Sequence, residues 1–171
     1  MAPAQLFPEV PVDASPMPAP PWQVDRWFNT PAPLELSALR GRVVVLEAFQ
    51  MLCPGCVSHG LPQAARVRAT FPAEQVVVVG LHTVFEHHEA MTPVALQAFL
   101  HEYRIGFPVG VDRPATDGGP VPRTMRAYGL RGTPSLVLID ARGNIRGHHF
   151  GQVEDLALGA RIASLVHEAR P

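Results

Sequence analysis

The chain has 171 residues, a length at which one domain with its own hydrophobic core is expected. Hydrophobic residues make up 47% and charged residues 17% of the chain, and the formal net charge is −1. The lack of a basic stripe argues against nucleic acid as a partner, and the lack of an apolar run of about 18 residues excludes a membrane-spanning helix.

The N-terminal region is rich in proline, since residues 1–33 contain nine of the 19 prolines. Proline fixes φ and removes a hydrogen-bond donor, so we predict that residues 1–21 form an extended arm and residues 22–171 a single domain. The aromatic residues expected to anchor this arm to the domain are Trp22, Trp27 and Phe28.

The start of the chain, from Met1 to Pro8, lacks both the basic region and the apolar region of an export signal. If Met1 is the native start, this predicts a cytoplasmic protein; if an export signal has been removed, a periplasmic protein is expected. In the reducing cytoplasm, a single Cys-x-x-Cys segment is more often catalytic than structural.

Hydrophobic periodicity predicts an alternation of strands and helices. Continuous β-branched and apolar runs at residues 43–49 and 76–81 are typical of strands that are covered on both faces. The other predicted elements are a short strand at 34–37, helices at 57–71 and 93–103, a strand at 107–112, a helix at 121–128, a hairpin of strands at 135–140 and 144–149, and a helix at 153–169. From residue 43 the order is β-α-β-α-β-α-β-β-α, which predicts one α/β domain with a mixed, mostly parallel sheet flanked by helices.

The two cysteines, Cys53 and Cys56, lie at the junction between the predicted strand at 43–49 and the helix that follows. The unpaired N–H groups and positive dipole end of a helix favour a thiolate over a thiol at this position. Pro54 fits the first helical position, and the N–H groups of Gly55 and Cys56 remain free to point at the Cys53 sulfur. We therefore predict thiol–disulfide chemistry, with Cys53 as nucleophile and Cys56 as resolving thiol; a pair of buried structural cysteines is the alternative.

An acidic residue accompanies the cysteines, because Glu47 lies six residues before Cys53 inside an otherwise apolar strand. Burial there would raise the pKa of its carboxyl group, which could then take the proton of Cys56 during resolution. Two other orientations remain open from the sequence: Glu47 could point outward from the strand's other face, or it could pair with an arginine.

The dipeptide Thr133-Pro134 directly precedes the predicted strand at 135–140. Only about 5–6% of X–Pro bonds in folded proteins are cis, so the residues alone predict a trans bond here.

Two segments resemble the thioredoxin superfamily. They run from Glu47 through Cys53-Pro54-Gly55-Cys56, and from Tyr128-Gly129 through Thr133-Pro134-Ser135 to Gly143. The resemblance implies a thioredoxin-like fold in which Glu47 is buried, and in which Pro134 is cis and lies against the cysteine pair. It also implies that the backbone of Thr133 receives a substrate strand, with Pro134, Pro54 and Gly55 completing the substrate-binding surface.

An extra strand–helix unit within residues 76–112 narrows the resemblance to the redoxin branch of the superfamily. This branch comprises TlpA-type thiol–disulfide oxidoreductases and peroxiredoxin-like, AhpC/TSA-like proteins. Residues 34–42 are similar to the usual redoxin entry into the first buried strand.

The chain departs from the thioredoxin pattern in three places. The dipeptide Pro54-Gly55 stands where thioredoxin has Gly-Pro, and Leu52 replaces a tryptophan that commonly precedes the first cysteine. The spacing from Cys56 to Pro62 is one residue longer than usual, which predicts a bulge in the helix at His59-Gly60.

Several histidines are candidates for function. His59 could lower a thiol pKa near the cysteine pair, although a half-exposed surface position is the stronger expectation. His82 is expected to be a satisfied core histidine, with a role at the carboxyl edge of the sheet as the alternative. The adjacent pairs His87-His88 and His148-His149 do not place both rings on one helix face, so we interpret them as surface residues rather than zinc ligands.

The leading hypothesis is a thiol–disulfide oxidoreductase that acts on protein substrates through a mixed disulfide with Cys53. The sequence has no Gly-x-Gly-x-x-Gly segment for a nucleotide, so no cofactor beyond the Cys53–Cys56 disulfide is expected, and a partner reductase would supply electrons. One alternative is a peroxiredoxin-like peroxidase, disfavoured because Gln50 occupies the position of a threonine or serine in those enzymes. The other is a non-enzymatic module that senses redox state or holds a metal through Cys53, Cys56 and His59. The sequence does not indicate the oligomeric state.

Overall fold

The structure is a computed structural model and describes residues 17–169. Within these residues, seven strands form one sheet, on which four α-helices pack. The strands are β1 (Met17–Pro18), β2 (Val24–Phe28), β3 (Val43–Phe49), β4 (Val76–His82), β5 (Val109–Asp112), β6 (Ser135–Ile139) and β7 (Asn144–Phe150). The helices are α1 (Leu61–Thr70), α2 (Pro93–Glu102), α3 (Arg123–Ala127) and α4 (Asp155–Glu168). None of these helices is long and apolar enough to cross a membrane.

The strand order across the sheet is β1-β7-β6-β3-β4-β5-β2. The pairs β3–β4 and β4–β5 are parallel, whereas the other four pairings are antiparallel. The predicted mixed sheet flanked by helices is confirmed, but the expectation of mostly parallel pairings is wrong. The proportion differs because β6 runs antiparallel to β3 at the centre of the sheet. In addition, β1 and β2, which were not predicted, run antiparallel to their neighbours at the two edges.

Strand β3 lies at the centre of the sheet, and all seven of its residues are buried because both of its faces are covered. Successive side chains of a strand point to opposite faces, so β3 contributes to two apolar clusters. Val45 and Phe49 pack on the face covered by α1, α2 and α4. Leu46 and Ala48 pack on the opposite face, covered by α3 and the N-terminal segment. By the same alternation, Glu47 lies on the face of Val45 and Phe49.

The N-terminal segment joins the two edges of the sheet, since β1 pairs with β7 and β2 with β5. Between the two strands, the hydroxyl of Tyr128 donates a hydrogen bond to the carbonyl of Pro20 at 2.7 Å. Trp22 and Trp27 pack on the cluster around α3, with ring centroids 6.0 Å apart, and Phe28 packs on the opposite cluster. The predicted anchoring role of these three aromatic residues is therefore confirmed.

The division of the chain into an arm and a domain at residues 21 and 22 stays a prediction. Residues 1–16 lie outside the described residues, and only the end of the arm, from Met17, is seen against the sheet.

One predicted element near the N-terminus is wrong. In place of a strand at 34–37, Leu36–Leu39 form a short 3₁₀ helix in which Leu36 and Leu39 are the buried residues. Buried positions three residues apart fit the period of a 3₁₀ helix and not the two-residue period of a strand.

Strand β2 was missed because the surrounding prolines obscure its β-branched and aromatic residues. The remaining predicted elements are present, with ends shifted by a few residues.

Candidate active site

The two cysteines are joined by a disulfide bond at the carboxyl end of β3, and their Cα atoms are 5.2 Å apart. Helical structure begins at Pro54, and the N–H of Cys56 lies 3.2 Å from the sulfur of Cys53 and points toward it. Cys53 is half-buried, whereas Cys56 is fully buried. A helix N-terminus stabilises negative charge on a nearby sulfur, so the geometry favours the thiolate form of Cys53 when the pair is reduced.

The bond between Thr133 and Pro134 is cis, so the resemblance predicted it correctly and the expectation from the residues alone was wrong. The carbonyl oxygen of Thr133 lies 3.5 Å from the sulfur of Cys53. A Cβ added at Gly55 would lie 3.3 Å from Cδ of Pro134, so the lack of a side chain at Gly55 allows the two segments to approach. The structure therefore brings together Cys53, Gly55, Thr133 and Pro134, as the resemblance implied.

Glu47 points into the protein, toward the helical turn that follows the cysteines. Its side chain is 1% exposed, and a Cβ added at Gly60 would overlap its Oε1 atom. Oε1 has no hydrogen-bond partner among the described residues, and burial raises the pKa of the carboxyl group to about 8. The two alternative orientations, outward and paired with an arginine, are thus wrong. A carboxyl group with this pKa can accept or donate a proton near neutral pH.

The helix after the cysteines is interrupted by a π-helical turn, which spans Cys56–Gly60. The N–H of Leu61 donates to the carbonyl of Cys56, five residues earlier. The predicted bulge at His59-Gly60 is confirmed, because a π turn accommodates one extra residue without ending the helix. The turn places Gly60 directly over the carboxyl group of Glu47.

His59 is half-buried and does not face the cysteine pair as a ligand. Its Nε2 atom lies 3.2 Å from the carbonyl oxygen of Val153. Within residues 17–169, no group of three histidine, cysteine, aspartate or glutamate side chains is placed to hold a metal ion. The alternative of a metal site formed by Cys53, Cys56 and His59 therefore has no support in this geometry.

Comparison with known proteins places this site in a family. Residues 17–148, which include the cysteines, Glu47 and Pro134, match the AhpC/TSA family. The chain belongs to the AhpC/TSA family. The predicted membership of the redoxin branch of the thioredoxin superfamily is thereby confirmed.

Two solved structures are closely similar to this AhpC/TSA protein and share its thioredoxin-like fold. The thioredoxin-like superfamily protein SPOA0173 is 64% identical, with a TM-score of 0.88 over 91% of this chain and 99% of its own. A thiol-disulfide isomerase from Corynebacterium glutamicum is 51% identical, with a TM-score of 0.82 over 86% of this chain and 96% of its own.

Curated relatives are more distant. The thiol-disulfide oxidoreductase ResA of Halalkalibacterium halodurans is 25% identical over 119 residues, which are 69% of this chain and 59% of ResA. Protein DipZ of Mycobacterium tuberculosis is 26% identical over 147 residues, which are 85% of this chain and 20% of DipZ. The chain thus spans a fifth of DipZ and less than two thirds of ResA. The enzyme class predicted from the sequence, a thiol–disulfide oxidoreductase, agrees with the names of ResA and of the C. glutamicum protein.

The surface around Cys53 is partly apolar. Leu52 is 58% exposed, and Pro54 beside it is exposed. Phe150, at the end of β7, is 49% exposed, and a Cβ added at Gly132 would lie 2.8 Å from its ring. The guanidinium of Arg131 lies 6.0 Å from the centre of the same ring. Sequence reasoning identified Leu52 but missed Phe150, which contacts Gly132 next to Thr133 and whose position depends on the pairing of β7 with β6.

Gln50 is a second residue whose role in the AhpC/TSA protein was missed. It is buried, its Oε1 accepts a hydrogen bond from the N–H of Phe85 at 3.1 Å, and its Nε2 donates to Glu86 at 3.2 Å. These bonds fasten the loop after β4 to the segment that leads to Cys53. A glutamine directly after a buried strand was the available signal, because a buried amide must find partners.

His82 is buried but is not the satisfied core histidine that we expected. It is 1% exposed, its ring centroid lies 5.3 Å from that of Phe49, and neither ring nitrogen has a hydrogen-bond partner among the described residues. Burial lowers the pKa of the imidazole from 6.5 to about 4. The folded protein therefore holds His82 neutral at a pH where the unfolded chain would protonate it.

Acid is expected to destabilise the fold through His82. Stability linked to this group is complete above pH 6.5 and is lost as the pH falls toward 4, by about 3 kcal/mol at pH 4. We expect His82→Leu to remove this loss, so that the difference in unfolding free energy between variant and wild type grows from pH 7 to pH 4 in urea titrations. The exposed His101→Leu is the control, and a difference that stays constant with pH would contradict the prediction.

Proposed function

We propose that this chain is a thiol–disulfide oxidoreductase that exchanges disulfides with protein substrates through a mixed disulfide on Cys53. The observation that carries the proposal is the asymmetric Cys53–Cys56 disulfide, with one cysteine half-buried at a helix N-terminus and the other fully buried. The similarity to a named thiol-disulfide isomerase and to ResA supports the same class of chemistry.

In the reducing direction, the thiolate of Cys53 attacks one sulfur of a substrate disulfide, and the other substrate sulfur leaves as a thiolate. The N–H of Cys56 and the helix dipole stabilise the Cys53 thiolate before the attack. The product of this step is a disulfide between Cys53 and the substrate.

The second step resolves the mixed disulfide. The thiol of Cys56 gives its proton to the carboxylate of Glu47, directly or through one water molecule, and its sulfur attacks the sulfur of Cys53. The second substrate thiolate leaves and the Cys53–Cys56 disulfide forms, so that two electrons have passed to the substrate. A partner reductase would return the pair to the dithiol form by the reverse steps, in which protonated Glu47 protonates the departing Cys56.

Substrate docking is assigned to the surface formed by Thr133, Pro134, Pro54 and Gly55. The carbonyl of Thr133, 3.5 Å from the Cys53 sulfur, is placed to bond an extended substrate segment. The exposed side chain of Leu52 extends this surface with an apolar contact.

No cofactor other than the disulfide is proposed, and the cytoplasmic location stays a prediction.

A redox titration in glutathione and dithiothreitol buffers, read by alkylation and mass shift, tests the function. We expect the pair to titrate as one intramolecular two-electron couple. A potential of about −270 mV would indicate a reductant, and one of about −120 mV would indicate an oxidant and favour an exported enzyme.

Two results would overturn the proposal. If no intramolecular disulfide forms at any potential, Cys53 and Cys56 do not act as a pair. If hydrogen peroxide oxidises Cys53 and is turned over faster than any protein disulfide is exchanged, the chain is a peroxidase in spite of Gln50.

A further inference from the structure

Gly60, the last residue of the π-helical turn Cys56–Gly60, lies against the side chain of Glu47. A Cβ added at Gly60 would overlap the Oε1 atom of Glu47 and would lie 3.3 Å from its Cδ atom. The same Cβ would lie 3.0 Å from Cβ of Pro134. The backbone of Gly60 therefore lies directly on the carboxyl group and on the proline of the site.

The backbone conformation does not explain the glycine. Gly60 has φ −58° and ψ −55°, which are helical angles that any residue adopts. Glycine in a helix is less favourable than alanine, because it loses more conformational freedom on folding. What the site uses is therefore the missing side chain, which leaves room for the carboxyl group of Glu47.

We propose that Gly60 is a positioning residue of the redox reaction, whose bare backbone holds the carboxyl group of Glu47 in place beneath the turn that begins at Cys56. This inference rests on the proposed function, because it assigns Gly60 to the proton transfer between Glu47 and Cys56. Gly60 touches neither substrate nor the reacting sulfurs and acts through Glu47.

The neighbours of Glu47 in the sheet and in the π-helical turn are uncharged. Gly80 of β4 and Leu136 of β6 pair with it in the sheet, and Gly60 lies against its carboxyl group. A pH effect of a substitution at Gly60 would therefore be transmitted by Glu47 itself.

Two histidines lie on elements that pack against Glu47, but their rings face groups other than its carboxyl group. His82 of β4 lies beside the ring of Phe49, and His59 of the π turn lies against the carbonyl of Val153. Neither contributes to the raised pKa of Glu47, whose cause is burial.

The test follows the reduction of the Cys53–Cys56 disulfide by dithiothreitol, quenched with an alkylating agent and read by mass. In this step Cys56 leaves as a thiolate and takes the proton of Glu47. General acid catalysis contributes roughly 10²–10⁴-fold, so a displaced carboxyl group in Gly60→Ala is expected to slow reduction about tenfold or more at pH 7. Above about pH 9 Glu47 is ionised in the wild type as well, so the two rates should converge.

Two variants separate positioning from a general structural effect. Gly159→Ala is the matched control, because Gly159 lies within α4 with open space around it, and its rate should equal that of the wild type at each pH. The double variant G60A/E47Q should be no slower than E47Q, since the methyl group acts only through the carboxyl group. A folded Gly60→Ala with the wild-type rate, an equal loss at all pH values, or a further loss in the double variant would overturn the proposal.

A shorter acid keeps the test valid if Gly60→Ala does not fold. In G60A/E47D the aspartate leaves room for the added methyl group, so this variant is expected to fold and to react within about threefold of E47D. A loss of about tenfold relative to E47D would overturn the role of Gly60. Failure of the proposed function itself is distinguishable, because the wild-type protein would then form no intramolecular disulfide in the redox titration or would turn over hydrogen peroxide, whereas failure of the role of Gly60 leaves both of those results unchanged.

Discussion

Replacing Cys56 with serine is expected to arrest the reaction at the mixed disulfide, whereas replacing Cys53 with serine is expected to lower disulfide exchange to the uncatalysed rate. A serine hydroxyl is not ionised near neutral pH and cannot form a disulfide, and Cys56 is fully buried and cannot replace Cys53 at the surface. The measurement is incubation of each reduced variant with insulin, followed by alkylation and mass spectrometry. Cys56→Ser should accumulate an insulin adduct that dithiothreitol releases.

The double variant C53S/C56S is the control for adducts formed elsewhere and should show none. An adduct on Cys56 in Cys53→Ser, at a rate near that of Cys53 in Cys56→Ser, would mean that the burial of the two sulfurs does not determine which one attacks. The assignment of nucleophile and resolving thiol would then be wrong.

Replacing Glu47 with glutamine is expected to remove a large pH dependence of stability. The folded protein holds the carboxyl group protonated up to about pH 8, whereas the unfolded chain ionises it near 4.5. A raised pKa in the folded state means that stability is complete below pH 4.5 and is lost as the pH rises through 8. The loss amounts to about 3 kcal/mol at pH 7 and about 4 kcal/mol at pH 8.

Denaturant titrations of the oxidised protein at pH 4.5 and pH 8 check this expectation. The unfolding free energy of Glu47→Gln should rise relative to wild type by about 4 kcal/mol between the two pH values. The exposed Glu74→Gln is the matched control and should follow the wild type. Parallel curves for Glu47→Gln and wild type would show that the carboxyl group is not held protonated by burial.

The same variant is expected to react slowly. Glutamine keeps the shape of the side chain but cannot transfer a proton, so reduction of the disulfide by dithiothreitol at pH 7 should fall by about 10²-fold or more. A normal rate combined with the expected gain in stability would mean that Glu47 is buried without taking part in proton transfer.

Local patterns predicted much of the fold around this site. The β-branched run that became β3, the two cysteines at its end and the hairpin of β6 and β7 are each recognisable within a short stretch of sequence. Their physical signal is local, because it depends on the alternation and length of apolar runs and on the residues that begin a helix. The bulge at His59-Gly60 was indicated only by comparison with the thioredoxin pattern, in which the spacing from Cys56 to Pro62 is one residue shorter.

Other features could not be read from neighbouring residues. The sequence left the direction of the Glu47 side chain open. In a strand that is buried on both faces nearly all residues are apolar, so an alternation of polar and apolar residues does not show to which face a side chain points. The edge strand β2 was missed because prolines surround it in the sequence, and its pairing with the distant β5 leaves no local signal. The closeness of Gly60 to Glu47 depends on how the π turn packs over β3.

By itself, the sequence determined the class of chemistry of this AhpC/TSA protein, because two cysteines at the start of a helix form a redox pair by local geometry. Tertiary structure alone decided the protonation of the site. Burial of Glu47 beneath Gly60, and of His82 beside Phe49, removes water from both groups and favours their neutral forms. Desolvation depends on every element packed around a group, so no short stretch of the chain could reveal it.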